Sequence, residues 1–571
     1  MKNVFSLLSC LLICVTLIIT RLIYTDTQQM LPLKMSTWDA LGYYLYLPAK
    51  YIYQDEENVG FIKKIDSTYQ LSGGDFYQAS KLKNGHYVCK YLMGVSILQT
   101  PFFFLAHQYA LRSTYPADGF SCPYQVAIAW GCLFYISISL FLLRHILLRY
   151  FEDKSVGITL ILLMLASNAI QYIGIEAGQS HSYIFPLYVF ILYFTIKWHE
   201  SYSWKWMSLI GLTLGLAVIS RPTELVMVLI PILWETNQDQ QNKWAYLKSN
   251  FWQMFVLALS GFVAVLPQLM YWKKVTGSWV YDVGSKWDFL SPHFRVLIGW
   301  EKGWITYTPV AILMLIGLFM LPKSPYKKAI ITFSVVNIYI IISWHIWRYG
   351  GSYSCRALVQ SYPVWAFPLA AATSALLHTK ARYLFLLVSI YLLVVNLFQI
   401  KQYNRNILHY DDMNFAYYKA IYLNPSPSAA EMSLLDTKEI IVDEDQFRKT
   451  LLVKKSNLLL TDNLMSMIDS QVMLKPRQEF TSCWLKISAK ILVKQGYWGS
   501  YLQTMVAQEQ VSKETKVRLF NALCKEDALN EYVYYIRLDA GKPIESIRTH
   551  FTGQENIIAT FVDFTIELLS T

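Results

Sequence analysis

Charge is what this sequence has least of. Only 16% of its 571 residues are Asp, Glu, Lys or Arg, while 54% are hydrophobic and 16% aromatic; soluble domains carry roughly 25% charged residues. In water such a chain would expose apolar runs that aggregate. The runs here recur at about 20 residues, the length that crosses a bilayer. The first, "NVFSLLSCLLICVTLIIT", lacks a small-residue cleavage site and reads as a retained signal anchor. Basic tracts are missing too, so the net charge of +11 leaves no nucleic-acid footprint. Lys and Arg lie scattered over short loops, as the positive-inside rule produces. The eight cysteines show no CxxC and no Cys/His ligand spacing, which argues against a structural zinc site. Cys10, Cys14 and Cys132 fall in apolar helices and read as packing residues. Cys89 with Cys122, and Cys483 with Cys524, could pair in an oxidising compartment. Internal repeats and low-complexity tracts are also absent.

What is present is an α-helical polytopic membrane protein. Spans are expected at 4–23, 123–148, 155–174, 182–197, 206–220, 222–234, 251–272, 304–321, 329–345, 361–377 and 382–399. Residues 206–234 break at Arg221-Pro222, because Pro removes a helical donor and Arg is costly at bilayer depth. Counting two crossings there puts the basic loops 144–154, 197–205, 243–248, 322–328 and 378–382 on one side with Lys2. This predicts about eleven helices, a cytoplasmic N-terminus and an external C-terminus. The apolar stretch 91–110, interrupted by Pro101 and His107, is expected as an interfacial or re-entrant helix on the outer side. The expected domains are a transmembrane domain at 1–400 (first external loop about 24–122), a linker at 401–430 and an external β-rich domain at 431–571. The alternating runs "CWLKISAKILV", "EYVYYIRL" and "NIIATFVDFTIELL" predict strands of a sandwich.

This topology brings a chemically mixed set to the outer ends of the helices. It comprises Asp39, Asp75 and Lys90 in the first loop, Glu176 and His181 in "IEAGQSHSY", and Arg221 and Glu224 in "SRPTE". Asp282, Asp288, Arg295 and Glu301 follow, then His345, Arg348 and Arg356 in "WHIWRYGGSYSCRALVQ". Arg and Lys can clamp a phosphate, Arg bidentately. Trp and Tyr can stack on a sugar, though at helix ends they also serve as interface anchors. A carboxylate can take a proton from an attacking hydroxyl, and a Gly-Gly turn lets backbone N–H groups approach an oxyanion. The lone acids make no Mg²⁺ or Mn²⁺ site, which usually needs two or more close carboxylates. No DxD or Rossmann motif offers a place for a nucleotide sugar.

On these residues the chain resembles the GT-C superfamily of integral-membrane glycosyltransferases, nearest in pattern to the protein O-mannosyltransferase and aminoarabinose transferase group. "WDALGYYLYLPA" is similar to that group's acidic motif, with Asp39 at the base position and Ala40 where a second acid is usual. "CKYLMGVSILQTPFFFLAH" matches a basic segment, with Lys90 but without its Pro pair. "GLTLGLAVISRPTELVMVLIP" looks like the Gly-x-x-x-Gly stretch ending in Arg-Pro-Thr. "WHIWRYGGSYSCRALVQSYPVWAFPLA" resembles the late external loop, with Arg356 at the donor-phosphate position. The resemblance covers roughly residues 1–420 and implies an inverting transferase that takes its sugar from a polyprenyl-phosphate donor. Asp39 would be the base. Lys90, Arg221, Arg348 and Arg356 would hold the phosphate, and Tyr43, Glu176, His181 and Trp344 the substrate. No metal or other cofactor is implied. The implied partners are membrane lipid and a glycan, lipid or protein acceptor, in a bacterial inner membrane with the C-terminal domain in the periplasm. Two other functions fit: a non-catalytic protein of this fold that binds or presents a lipid-linked glycan, and a transporter.

Overall fold

The computed structural model describes residues 3–27, 35–235, 242–441, 443–460, 468–470, 482–495, 499–509, 511–525, 527–539, 542–552 and 558–571. They form two compact units, Met1–Leu397 and Phe398–Thr571.

The first unit is helical. Among the described residues four helices are long and apolar enough to cross a membrane: Val4–Tyr24, Cys122–Leu147, Trp252–Thr276 and Arg382–Tyr403. The other expected spans are shorter or interrupted, and the interruptions have local causes. The span expected at 155–174 is the helix Asp153–Leu165 followed by wide π-turns at Ile170–Ile175. Between them the Ser167 hydroxyl bonds back to the Leu163 carbonyl and accepts the Ala169 N–H, a side-chain alternative to the helical ladder. Residues 206–234 divide as expected into the helix Trp204–Val218 and a 3₁₀-to-α stretch, Pro222–Val228 and Leu229–Leu233. Arg221 is extended at the break.

Helix packing follows the small residues. A Cβ on Gly211 would meet the Leu257 carbonyl at 2.3 Å, and one on Gly215 the Gly261 carbonyl at 2.5 Å. The helices Trp204–Val218 and Trp252–Thr276 therefore touch backbone to backbone. The other face of Trp252–Thr276 presents Trp252, Phe255, Leu259, Phe262 and Val263 outward, as a lipid-facing surface does. Stretch 91–110 forms the helix Gly94–Ala110, with Val95, Gln99, Phe103 and Ala106 buried and Leu105 and Tyr109 exposed. Phe103 joins Tyr44, Phe120, Tyr124 and Tyr271 in a core under the first long loop, and the hairpin Ala79–Lys81/Tyr87–Cys89 lies in that loop.

Among the described residues the second unit holds two four-stranded antiparallel sheets. One runs in the order Arg448–Leu460, Ile558–Ser570, Cys483–Gln495, Ala528–Leu538. The other runs Ile468–Ser470, Ile544–Thr552, Tyr501–Gln508, Val511–Arg518. Period-2 patterning sends Leu485, Ile487, Ala489, Ile491 and Val493 inward, where they share one core with Leu502, Val506, Ile547 and Phe551 of the opposite sheet. Residues 401–430, expected as a linker, carry the helix Phe415–Ile421 and the start of Ala429–Thr437, which opens on a Ser428–Glu431 capping box.

Neither of the two possible disulfides, Cys89–Cys122 and Cys483–Cys524, is formed. Cys89 is buried in the hairpin, where its N–H donates to the Tyr271 hydroxyl at 3.0 Å. Cys524 Sγ accepts from the Tyr532 hydroxyl at 3.4 Å.

Candidate functional site

Asp39 opens the short helix Asp39–Tyr44. Trp38 before it has a left-handed backbone, φ 52°, a strained conformation for a bulky residue. Two hydrogen bonds hold it there: its N–H donates to the Leu71 carbonyl at 3.1 Å, and its carbonyl accepts from the Gln78 amide at 3.1 Å. The Asp39 carboxylate is fully engaged. Oδ1 accepts from the Tyr91 hydroxyl at 2.7 Å and the Tyr77 hydroxyl at 2.9 Å, and Oδ2 accepts from Arg356 Nη2 at 2.8 Å. Gly42 makes room for this arrangement: a Cβ there would sit 2.0 Å from the Tyr91 ring. Burial pushes the Asp39 carboxyl up, but the Arg356 charge and the hydrogen bonds from Tyr91, Tyr77 and Arg356 outweigh it and hold the group below the usual carboxylate range.

Arg356 arrives from the far end of the unit on a loop fixed from three sides. Lys302 is 1% exposed and donates to the Gly350 carbonyl (2.9 Å), the Ser352 carbonyl (2.9 Å) and Ser352 Oγ (3.1 Å). Asn168 donates to the Cys355 carbonyl at 3.2 Å, and the Tyr172 hydroxyl to the Tyr353 carbonyl at 2.9 Å. Gly350, with φ +67°, passes beneath the guanidinium, where a Cβ would stand 3.4 Å from Nη2. Among the described residues Arg356 donates one hydrogen bond only, to Asp39; a guanidinium has five N–H donors.

Glu176 reaches the same place from the turn after the π-turns. Its N–H donates to the Gln171 carbonyl, and its Oε1 accepts from Gln171 Nε2, both at 2.9 Å. Gly178 abuts the base of the Asp39 helix: a Cβ on it would lie 3.0 Å from that of Ala40 and 2.1 Å from the Met35 carbonyl. Arg21, 2% exposed, caps this turn by donating to the Ile173 carbonyl at 2.9 Å and the Ile175 carbonyl at 3.3 Å.

Arg221 and His181 belong to an adjoining cluster. His181 Nδ1 lies 2.7 Å from Gln360 Oε1, and Gln360 Nε2 donates to Glu224 Oε1 at 3.0 Å. The Tyr188 hydroxyl donates to Glu224 Oε2 at 2.5 Å. With its amide fixed by Glu224, Gln360 makes His181 Nδ1 the donor. The Arg221 guanidinium, 3.3 Å from that nitrogen, therefore gains no hydrogen bond from it. Tyr43, 8% exposed, sets its ring edge-on to Tyr91 at 4.9 Å and lies within the field of both Arg221 and the Asp39–Arg356 pair.

The remaining expected residues stand further out. Lys90 is exposed, with Nζ 6.0 Å over the Tyr77 ring, and so meets Asp39 through Tyr77. Arg348 and Arg295 share the Trp347 ring, at 5.3 Å and 4.7 Å from its centre. Trp344 packs on Tyr349 at 4.6 Å and bridges to Trp287 through the backbone. Among the described residues no group of three or more His, Cys, Asp or Glu converges as a metal site would. Sequence reasoning missed Tyr77, Tyr91, Lys302, Gln171, Gln360 and Arg21. Tyr91 follows Lys90 directly and Lys302 follows Glu301, so proximity to residues already singled out was the available signal.

A mostly apolar groove of about 440 Å³ lies along the helix Tyr46–Tyr51, lined by Tyr46, Leu47, Met93, Ile97, Pro101 and Pro267, with Lys50 and Glu56 also in its walls. It shares walls with the site, because the Tyr46 hydroxyl donates to the Tyr91 carbonyl at 2.6 Å.

No family model matches the chain, and neither does any curated protein. Among solved structures it is similar to the archaeal oligosaccharyltransferase AglB from Archaeoglobus fulgidus in complex with an inhibitory peptide and a dolichol-phosphate. That match has 10% identity and a TM-score of 0.44 over 73% of this chain and 57% of that one. It is also similar to the apo form of the Archaeoglobus fulgidus oligosaccharyltransferase, at 10% identity and a TM-score of 0.43 over 74% of this chain and 58% of that one. The matches thus span less than two thirds of the length of those chains. At this score the likeness carries no activity, substrate or membrane face across.

Proposed function

We propose that this protein is a GT-C-type membrane glycosyltransferase that moves a sugar from a polyprenyl-phosphate donor to an acceptor hydroxyl, with inversion. The observation that carries the reading is the Asp39–Arg356 pair. A carboxylate is held ready by two phenols, and its guanidinium partner spends one donor on it among the described residues. The other donors suit a phosphate, which Arg grips bidentately.

The chemistry follows from the balance of forces on Asp39. When a donor phosphate draws Arg356 away, Oδ2 is vacated and the largest depressing influence on the carboxyl goes with it. Burial then raises Asp39 toward the range where it accepts a proton. The acceptor oxygen attacks the anomeric carbon, its proton passes to Asp39, and the carbon–oxygen bond to phosphate breaks with its electron pair leaving on the lipid phosphate. The apolar groove behind Tyr46 and Met93 suits the prenyl tail. In this reading the site faces the periplasm of a bacterial inner membrane, the chain crosses about eleven times, and the acceptor is a glycan, lipid or protein.

The non-catalytic alternative has one observation in its favour: in the resting arrangement Asp39 accepts from three donors and is a weak base. Comparative mass spectrometry of envelope glycans and polyprenyl-linked sugars separates the two readings. The strains are wild type and Asp39→Asn at equal protein level. Loss of one sugar from a defined glycan, with its lipid-linked donor accumulating, is the expected result. An unchanged profile with the variant folded removes Asp39 as base and leaves the binding role.

A further inference from the structure

The site contains a second carboxylate whose surroundings are opposite to those of Asp39. Glu176 is half-buried. Oε1 takes one neutral donor, the Gln171 amide, and Oε2 accepts no hydrogen bond among the described residues. The two nearby cations are both committed elsewhere. Arg356 is on Asp39, and the three N–H groups of the Lys302 ammonium meet three acceptors on Gly350 and Ser352. No ion pair to Glu176 occurs among the described residues. A carboxylate that is partly desolvated and has no cation of its own takes up a proton more readily than one in water. The groups that act on it are Gln171 from the π-turns, Arg356 from the late loop, Asp39 from its own helix and Lys302 from the preceding loop. Burial raises its carboxyl and the Asp39 charge adds to that; the Gln171 bond and the two cations lower it, and the net displacement is upward.

We infer that Glu176 works as a neutral carboxylic acid and donates a hydrogen bond from Oε2 to a non-bridging oxygen of the phosphodiester that Arg356 draws in. The inference rests on the transferase reading and deepens it: the site selects an anion with a protonated acid beside a guanidinium. As a neutral group Glu176 adds a donor without adding like-charge repulsion. Once ionised it faces the phosphate with a negative charge and no donor.

The test is the pH dependence of binding by the full-length chain in lipid nanodiscs. The probe is a polyprenyl methyl phosphate, a diester with no ionisation near neutral pH. Wild-type affinity should be level at low pH and fall about tenfold per unit once Glu176 ionises, the slope of one linked proton. Glu176→Gln keeps a donor and cannot ionise, so it should bind nearly as well as wild type at low pH and clearly better at high pH, with a flat profile. A sloping profile in Glu176→Gln matching that of wild type overturns the inference and leaves the transferase reading intact. Absence of binding by wild type at every pH overturns both. Infrared difference spectra give a second readout. Wild type should show a protonated-carboxyl band above the ordinary titration range of Glu, about 4.3, and Glu176→Gln should lack it. The same band in both proteins also overturns the assignment.

Discussion

The two units each contain an arginine held by an aspartate, and the two pairs are built differently. In the C-terminal unit Arg518 engages Asp436 through Nε at 3.0 and 3.2 Å and through Nη2 at 2.8 Å, while its backbone N–H donates to the same carboxylate at 3.0 Å. Nη2 also reaches Asp412 at 3.2 Å, and Nη1 lies 2.9 Å from His409 Nε2. Every guanidinium nitrogen is engaged, and the pair joins the helix Ala429–Thr437 to the strand Val511–Arg518. Arg356 meets Asp39 by Nη2 alone. Fork-on-fork bonding uses up an arginine as a staple; end-on bonding leaves it able to take a second anion. The pairing geometry, more than the presence of an Arg–Asp pair, separates structure from function here.

The largest effect should come from breaking the functional member of this comparison. Arg356→Ala should lower affinity for a polyprenyl phosphate by a hundredfold or more, in line with the roughly 2–5 kcal/mol lost when one partner of a buried charge pair is truncated. Arg356→Lys should rescue little of it, because an ammonium cannot reproduce the planar fork. Arg356→Ala leaves Asp39 without its cation, so Arg356→Lys, which keeps a charge beside Asp39, serves as the folded comparison. Arg518→Ala should do the reverse, leaving lipid binding unchanged while costing about 3 kcal/mol in the C-terminal unit, the low end for breaking a buried pair. Hydrogen exchange on the full chain should show this as faster exchange in the strand Val511–Arg518. Loss of lipid binding in Arg518→Ala would break the comparison.

The same contrast explains what was legible in the sequence. Strands such as Cys483–Gln495 announce themselves, because inward and outward residues alternate and the sheet needs little else. The break at Arg221-Pro222 was equally plain, since proline removes a donor wherever it sits. Asp39 and Arg356 could be picked as residue types at loop positions, but their pairing joins opposite ends of the unit and no local pattern encodes it. Tyr77, Tyr91 and Lys302 were passed over for another reason. Tyrosine at a membrane interface is ordinarily an anchor, and a lysine beside a glutamate is ordinarily a solvated loop charge. Only burial turns them into a carboxylate clamp and a loop staple. Residues 401–430 read as a linker because Pro and Ser are turn-formers, whereas here Ser428 serves as a helix cap.

A smaller effect comes from the phenols. Tyr91→Phe removes one of the donors that lower the Asp39 carboxyl. A group whose folded pKa is depressed keeps its contribution above the ordinary value, about 3.9 for Asp, and loses it as pH falls through the folded one. Removing Tyr91 should therefore move the acid limb of folding stability, read by thermal unfolding across pH, to higher pH. A hydrogen bond to a charged group contributes roughly 1.5–3 kcal/mol, and Arg356 and Tyr77 remain in place, so the carboxyl should stay below its usual range but less far below it. Tyr77→Phe, whose bond is the longer at 2.9 Å, should shift it less. Equal limbs in wild type and Tyr91→Phe would mean that the phenol only fills space beside Gly42.

Lys90 gives the smallest effect and the sharpest division between resemblance and geometry. The motif it resembles assigns it to the donor phosphate, whereas the structure sets its ammonium 6.0 Å over the Tyr77 ring with the side chain exposed. A cation over an aromatic ring at an exposed site contributes about 0.5–1 kcal/mol. Lys90→Gln should therefore weaken polyprenyl-phosphate binding by a factor of about two to five, and added salt should shrink the difference, because an exposed charge is screened. A loss of a hundredfold, insensitive to salt, would place the ammonium directly on the phosphate. Lys90 would then have to leave the Tyr77 ring when the donor enters, as Arg356 leaves Asp39, and the two cations would close on the phosphate from opposite sides of the carboxylate.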